Sequence, residues 1–457
     1  MQSPKLNVLI YPMFSVDVLN ADSNYIIIKQ LCNELVKTKK YNFFLLIDSN
    51  RKYIKDDLNS LVKIIKIPLP RSKKHQVIHF NSNIFRELYK KYAFDLVWNN
   101  VVEQGHHFRY FQDTIVSSFR TKVFNYHHYV IHRSLERLTN YLPCMHILYD
   151  QLVGSLGADI NYFHSKHCYN MLLEEANDVL NDQKISLIKD KSILSLGGYV
   201  QDPGYNQDFK QPTKYEKFTF IYNHRLDGYK NWKDTFNLFD ELYSEGYDFQ
   251  VILTAGDKDN INVMNKKPYV LVKSFTKHNE YLKELSKCHC NTLNSIHETY
   301  CISVAESMVY DQVVVLPNRC TFPELVDKGY PYIFETIEEQ KKILKKLISK
   351  NIKEYKHDKE KLCLTNHTKN IDNYFTELGK PEKTDIFNNI KKQATKDKIK
   401  ILLSKKENIS LTDFRRFVYS LGYASQSFPN LKLKQLLNEL DYDYNINLDK
   451  FQKIYNE

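Results

Sequence analysis

The stretch Ser295-Ile296-His297-Glu298-Thr299-Tyr300-Cys301-Ile302-Ser303-Val304-Ala305-Glu306-Ser307-Met308 sets two carboxylates eight positions apart across a strand-to-helix junction. The run before it, Cys288 to Leu293, is strand-like, and the run after it has the apolar spacing of a helix. Glu298 therefore falls in the loop and Glu306 inside the helix. The unpartnered amides and the dipole at such a helix start attract an anionic diphosphate, and a carboxylate further in can accept hydrogen bonds from a ribose diol. A surface glutamate and an unrelated helical one give the same spacing, so the flanking segments decide.

Upstream, Phe218 to Asn223 reads as a buried strand, and His224-Arg225-Leu226-Asp227-Gly228-Tyr229-Lys230-Asn231-Trp232 as a basic loop before a helix. Arg225 and Lys230 both suit a diphosphate, Arg by its bidentate fork and Lys as a point charge. Downstream, Val313 to Pro317 is another strand, followed by a loop that reaches Pro323-Glu324-Leu325.

Taken together these residues resemble the C-terminal half of the retaining GT-B glycosyltransferases with a Glu-x7-Glu signature. That family's pattern is Arg-x4-Lys after the first strand of the half, then Glu-x7-Glu, then a strand and loop ending in Pro-Glu; all three occur here in order. The resemblance implies a UDP- or GDP-linked sugar as donor, with no metal and no further cofactor. It implies that Arg225 and Lys230 neutralise the leaving diphosphate, Glu298 contacts the sugar hydroxyls and Glu306 binds the ribose. The amides of Thr299, Tyr300, Cys301 and Ile302 then steady the donor. The family loop usually reads Glu-x-Phe-Gly, and here it is Glu298-Thr299-Tyr300-Cys301, whose extra Cβ narrows the room beside the sugar.

A chain of 457 residues holds two domains of ordinary size plus an appendage. The fold class expected is α/β, with two Rossmann-like doubly wound domains facing across a cleft and a small helical C-terminal appendage. The boundaries are 1–199 for the N-terminal acceptor domain, 200–216 for a linker and 217–350 for the nucleotide-sugar domain. Returning helices follow over 351–382, and a basic helical appendage over 383–457. The net charge is +11, with 33 Tyr, 26 Phe and only 12 Gly, where average usage gives about 30 Gly. AT-rich coding accounts for such a bias, and so does a polyanionic partner. Eight scattered cysteines without an export signal point to a reducing cytoplasm. No apolar run approaches the ~18 residues of a membrane span, so a protein without integral membrane contact is expected.

In chain order, Leu6 to Tyr11 is a strand and Ala21 to Val36 a helix. The loop between them lacks the Gly-Gly pair common in the family, and Asp22, Ser23 and Asn24 supply either polar contacts to the acceptor or a helix cap. Further strands are read at Asn42–Asp48, Leu61–Ile67, Asp95–Asn100 and Val123–His128, with a helix at Ile84–Tyr92. Asn125-Tyr126-His127-His128-Tyr129 stands at a strand's C-terminal end, the edge where ligands enter such sheets. His127 resembles the family histidine placed over the donor sugar and near the acceptor, with His128 as its neighbour. A metal site on His127, His128 and His132 is disfavoured, since no carboxylate or cysteine is suitably placed nearby. Leu194 to Gly198 reads as a final short strand.

In the second half, strands at 218–223, 248–254, 269–274 and 288–293 alternate with helices at 231–246 and 277–287. Cys288-His289-Cys290 lies in a strand, whose alternation sends both cysteines to one face. In the appendage, helical runs are read at 392–405, 411–421 and 431–440. Between Lys391 and Arg416 there are nine Lys/Arg against three Asp/Glu.

The segment from Asn223, with Tyr332 to Glu339 and Tyr126-His127, partly resembles the branch that mannosylates queuosine in tRNA. With the net charge and the basic appendage, this favours a hydroxylated or hypermodified base in DNA or RNA as acceptor, flipped into the cleft and stacked on aromatics. The alternatives are a glycan or lipid-linked acceptor, or a catalytically dead fold that only binds nucleic acid.

Overall fold

The computed structural model describes residues 5–12, 23–49, 58–68, 82–115, 121–132, 145–200, 212–254, 258–275, 278–352 and 354–379, and then 408–410, 414, 442–445 and 450–453. Two parallel sheets organise them. The first has the order β3-β2-β1-β4-β5-β6-β7, with β1 Leu6–Tyr11, β2 Tyr41–Asp48, β3 Lys63–Ile67, β4 Leu96–Asn99, β5 Lys122–His127, β6 Ile160–Phe163 and β7 Ser192–Leu194. The second has the order β10-β9-β8-β11-β12-β13, with β8 Phe218–Tyr222, β9 Phe249–Leu253, β10 Val270–Val272, β11 Cys290–Thr292, β12 Val313–Pro317 and β13 Ile333–Phe334. In each sheet the strand order reverses beside its first strand, β1 or β8. Such a reversal opens a crevice at the carboxyl ends of the strands, where ligands of α/β sheets bind.

The sequence supports this layering directly. Strands covered by helices on both faces are continuous apolar runs, and Val313 to Pro317 is buried throughout. The polar residues inside the first sheet pair among themselves. Asn99 Nδ2 donates to Asn125 Oδ1 at 2.7 Å, Asn125 Nδ2 to Asn161 Oδ1 at 3.1 Å, and Asn161 Nδ2 to the Ser155 carbonyl at 2.9 Å. This ladder crosses three strands. Helix Met145–Gly157 lies so close beside it that a Cβ on Gly154 would sit 1.8 Å from the Val102 carbonyl oxygen, so only glycine fits.

The chain passes from the first half to the second beyond β7 and then returns. Val200 bridges Cys363 in parallel, and helix Leu364–Gly379 packs against the first sheet. Its Phe375 ring meets Tyr41, Trp98 and Phe124 at 5.8, 5.6 and 5.2 Å between centroids. Its His367 Nδ1 lies 3.0 Å from the Tyr162 hydroxyl. One continuous apolar core thereby includes Trp98 and Phe124 of the first sheet, Tyr300, Val304 and Met308 of the second half, and Phe375 of the returning helix.

Three expectations are corrected. The last strand of the first half is Ser192–Leu194 and not Leu194–Gly198, because the chain there leaves the sheet edge: a Cβ on Gly198 would sit 2.2 Å from the Cys363 carbonyl oxygen. Cys288 and Cys290 do not share a face, since β11 begins only at Cys290 and the Cys288 amide closes the preceding helix on Leu285. Beyond Gly379 the described residues form strands Asn408–Ile409, Tyr442–Asn445 and Lys450–Lys453 in an antiparallel sheet, which the helical reading of the appendage lacks. The helical runs at 392–405 and 431–440, nearly all of 411–421, and most of the linker lie outside the described residues. By contacts, Met1–Tyr110 with Phe119–Leu378 forms one compact unit, and Phe111–Ser118 with Gly379–Glu457 a second.

Candidate active site

At the carboxyl end of β8, Asn223 and His224 leave the sheet and the chain turns through Arg225 to Lys230. At the end of β11, residues 293 to 301 form the loop that carries Glu298 into helix Ile302–Val309. The two loops are stitched together: the Ile296 amide donates to the Tyr229 carbonyl at 2.9 Å. From below, the Arg319 guanidinium donates to the carbonyls of Ser295 and Asn294 at 3.0 and 2.9 Å. Loops held in this way present fixed side chains.

Lys230 and Glu298 meet at the centre as a hydrogen-bonded ion pair, with side chains only 12% and 9% exposed. Burial alone favours the neutral form of both groups. Here each charge outweighs that penalty for the other: Glu298 holds the Lys230 ammonium above its ordinary range, and Lys230 holds the Glu298 carboxyl below its own. Arg225 stands further out with its side chain 63% exposed, donating to the Tyr229 hydroxyl at 2.7 Å and paired with Asp227 at 3.3 Å.

Glu306 lies one helical turn inside the next helix and is buried, which raises its carboxyl above the usual range. Tyr281 donates its hydroxyl to Glu306 Oε2 at 2.6 Å, and His278 Nε2 lies 3.5 Å from Oε1. Behind it, Asn223 Nδ2 donates to the Tyr281 hydroxyl at 2.8 Å, and Asn291 Nδ2 to Asn223 Oδ1 at 2.8 Å. Between the two glutamates Cys301 adopts φ 72°. The left-handed region costs a residue with a Cβ about 1–2 kcal/mol; Cys301 is the N-cap of helix Ile302–Val309, and the amides of Ile302 and Ser303 that follow it have no partner within their own helix.

The first half reaches this loop through β5 and β6. Thr299 Oγ1 donates to the His128 carbonyl at 3.0 Å, and the Thr299 carbonyl accepts from Ser165 Oγ at 2.6 Å. The His128 ring is partly exposed and stands 6.3 Å from that of His164, which in turn meets the Tyr300 ring edge-on at 5.9 Å. His127 points the other way. Its ring is fully buried, stacked on Phe163 at 4.0 Å with Nε2 3.3 Å from Asn161 Oδ1, and burial lowers its pKa to about 3. Strand alternation thus puts His127 with the asparagine ladder, and the ring beside the loop is that of His128. Ser23 opens helix Ser23–Leu35, Asn24 is buried in it, and Asp22 lies outside the described residues.

His224, Glu298 and Cys301 bring ligand-type atoms within 4.8 Å of one another. His224 Nδ1 lies 2.9 Å from Ser303 Oγ, and Glu298 is paired with Lys230. The cationic partner of this carboxylate is therefore an ammonium.

Residues 205–362 match the sequence model of the family Glycosyl transferases group 1. The fold is that of the GT-B glycosyltransferase structures. Among solved structures, the apo lipopolysaccharide outer core galactosyltransferase WaaB is 14% identical, with 82% of this chain and 99% of that chain covered at a TM-score of 0.55. Anabaena HepE in complex with UDP-glucose is 10% identical, with 81% and 100% covered at 0.56. Sucrose-phosphate synthase from Thermosynechococcus elongatus is 11% identical, with 82% and 96% covered at 0.56. None of the curated proteins compared with the chain matches it significantly. Among the described residues no helix is long and apolar enough to cross a membrane.

Of the residues expected from the sequence, the structure joins Lys230 to Glu298, keeps Arg225 at the exposed side of the same turn as Lys230, and holds Glu306 in the following helix against Tyr281. Sequence reasoning missed His224, Tyr281, Asn291 and Ser303, which support those residues from behind. Only His224, adjacent to Arg225, carried a signal in its position.

Removing one member of the central pair leaves the other charge buried and alone, which costs about 3–5 kcal/mol. The folded pKa of Glu298 is depressed, so its stabilisation is present above the ordinary carboxylate range and is lost as pH falls through the folded value. In Lys230→Met the Glu298 carboxyl stays buried without its cation, burial alone raises its pKa, and it takes up a proton as pH falls, so the variant is expected to be strongly destabilised at pH 7 and progressively less towards pH 4. Glu298→Gln in the same chain should recover most of the loss. Urea unfolding of the two single variants and the double variant at several pH values checks this; a gap independent of pH contradicts it.

Proposed function

We propose that this enzyme transfers a hexose or pentose from a nucleoside-diphosphate sugar to a hydroxyl acceptor, with retention of anomeric configuration and without a metal ion. The observation that carries the reading is the buried Lys230–Glu298 pair beside the start of helix Ile302–Val309. The charge that develops on a departing diphosphate is met by Lys230, by Arg225 at the rim and by the amides of that helix, all in place before reaction. Thr299, Tyr300, Cys301 and Ile302 line the donor through their backbone. Glu306, oriented by Tyr281, accepts from the ribose, and Glu298 contacts the sugar. His128 stands where the acceptor and sugar meet, and His127 holds the strand end behind it. Retention rests on the resemblance of the Glu298–Glu306 loop to the retaining enzymes. The UDP-glucose complex of Anabaena HepE supports a UDP-linked donor.

For the acceptor, the reading is a hydroxyl on a modified base of DNA or RNA, supported by the net charge of +11 and the basic run from Lys391 to Arg416. Asp22, Ser23 and Asn24 are the residues this reading assigns to contacts with the acceptor.

Calorimetry with UDP and GDP in the presence of EDTA should show binding of at least one of them, and Lys230→Ala should weaken it at least tenfold. Loss of all binding on chelation contradicts the metal-free donor site.

Gel-shift titration should give nucleic-acid affinity that falls steeply with salt. Exchange of Lys391, Lys392, Arg415 and Arg416 for Gln should flatten that slope by about 0.7–0.9 for each phosphate no longer neutralised. Absence of retardation even at low salt contradicts the nucleic-acid acceptor and favours a glycan.

A further inference from the structure

Helix Lys166–Val179 begins at the carboxyl end of β6, in the first half of the molecule, and its amides are occupied from two directions. Its N-cap Ser165 accepts the Cys168 amide at 3.1 Å, which serves the helix locally. The two amides before it are taken by a residue from the other half. The Lys166 amide donates to Glu324 Oε2 and the His167 amide to Glu324 Oε1, both at 2.7 Å. Glu324 sits in the short helix Phe322–Leu325 after β12, whose preceding turn carries the Arg319 that braces the Glu298 loop. Its carboxylate is therefore shared between two amides of one half while its backbone belongs to the other.

The same helix start holds the donor loop at a second point. Ser165 Oγ, besides capping its own helix, donates to the Thr299 carbonyl at 2.6 Å, and Thr299 Oγ1 donates to the His128 carbonyl at 3.0 Å. Thr299 is the residue after Glu298, so the donor loop is fastened to the ends of both β5 and β6. Because Glu324 fills the amides of helix Lys166–Val179, that start is closed to the phosphates of a nucleotide, which are left with the start of helix Ile302–Val309. A charged bidentate contact to a helix start is both strong and directional.

We propose that Glu324 is a positioning residue of the transfer reaction: by clasping the Lys166 and His167 amides it holds the first half, with His128, at reacting distance from the Glu298 loop. The proposal rests on the donor-site reading above. Glu324 touches neither nucleotide nor sugar; it sets the separation of the two partners of the reaction. A reaction between two bound molecules is sensitive to displacements of about 1 Å, which can cost on the order of a hundredfold in rate.

The test uses the full chain with Glu324→Ala and Glu324→Gln. For Glu324→Ala, kcat should fall ten- to a hundredfold, while UDP or GDP affinity by calorimetry stays within twofold of wild type. Glu324→Gln keeps one acceptor oxygen and turns an amino group towards the second amide, so it should fall between the two. Small-angle scattering should show a larger radius of gyration for Glu324→Ala than for wild type, a readout that does not depend on activity. Ser165→Ala combined with Glu324→Ala should lose less than the product of the single effects, because both act on one junction. An unchanged kcat, an unchanged radius of gyration, or a nucleotide affinity that falls in step with kcat each overturns the proposal. Failure of wild-type protein to bind either nucleotide counts instead against the donor-site reading, and the scattering comparison still decides whether Glu324 holds the halves together.

Discussion

A buried ammonium facing a buried carboxylate is tolerated only where each supplies what the other lost on leaving water. Lys230 and Glu298 meet that condition here, and the surrounding loops follow from it. The Lys230 loop is tied to the Glu298 loop through Tyr229 and Ile296, and Arg319 braces the latter from below. The asparagines behind them fix Tyr281, which fixes Glu306. The Glu298 carboxylate fixes the position of the Lys230 ammonium, so in the proposed transfer little reorganisation is left for the moment of reaction.

The backbone between the two glutamates carries the strain of this arrangement. Cys301 stands in the left-handed region, where glycine is the easy choice. Its thiol is buried close to Ser303 Oγ, 3.5 Å away. The extra Cβ expected from the sequence to crowd the donor is thus accommodated beside the helix start, at the cost of a strained φ angle. Sequence alone identified the departure from glycine, but not the direction in which the side chain would turn.

What was legible in the sequence was whatever depends on spacing. Arg225 and Lys230 flank one turn, and Glu298 and Glu306 straddle one loop and the first turn of a helix, so their separations survive folding almost unchanged. Continuous apolar runs such as Val313 to Pro317 likewise announce covered strands. Registers and distant partners were not legible. The sequence reading favoured His127 over His128, and a single step of strand alternation buries His127 with Asn161. Glu324 and Lys166 are 158 positions apart, joined through backbone amides that have no sequence signature. Helix Gly105–Ile115 went unread because it opens with glycine and two histidines, which give no start signal for a helix. Cys288 misled because a strand was extended two residues too far, where the alternation rule no longer applies.

The central claim is that Lys230, Arg225 and the start of helix Ile302–Val309 form one seat for a nucleoside diphosphate. A crystal structure of the protein soaked with UDP or GDP in EDTA tests it most directly. The account predicts phosphate oxygens within hydrogen-bond distance of Lys230 Nζ and of the Ile302 or Ser303 amide, with the ribose diol on Glu306. A nucleotide bound elsewhere, or one whose phosphates leave the Lys230–Glu298 pair untouched and out of reach, would contradict it.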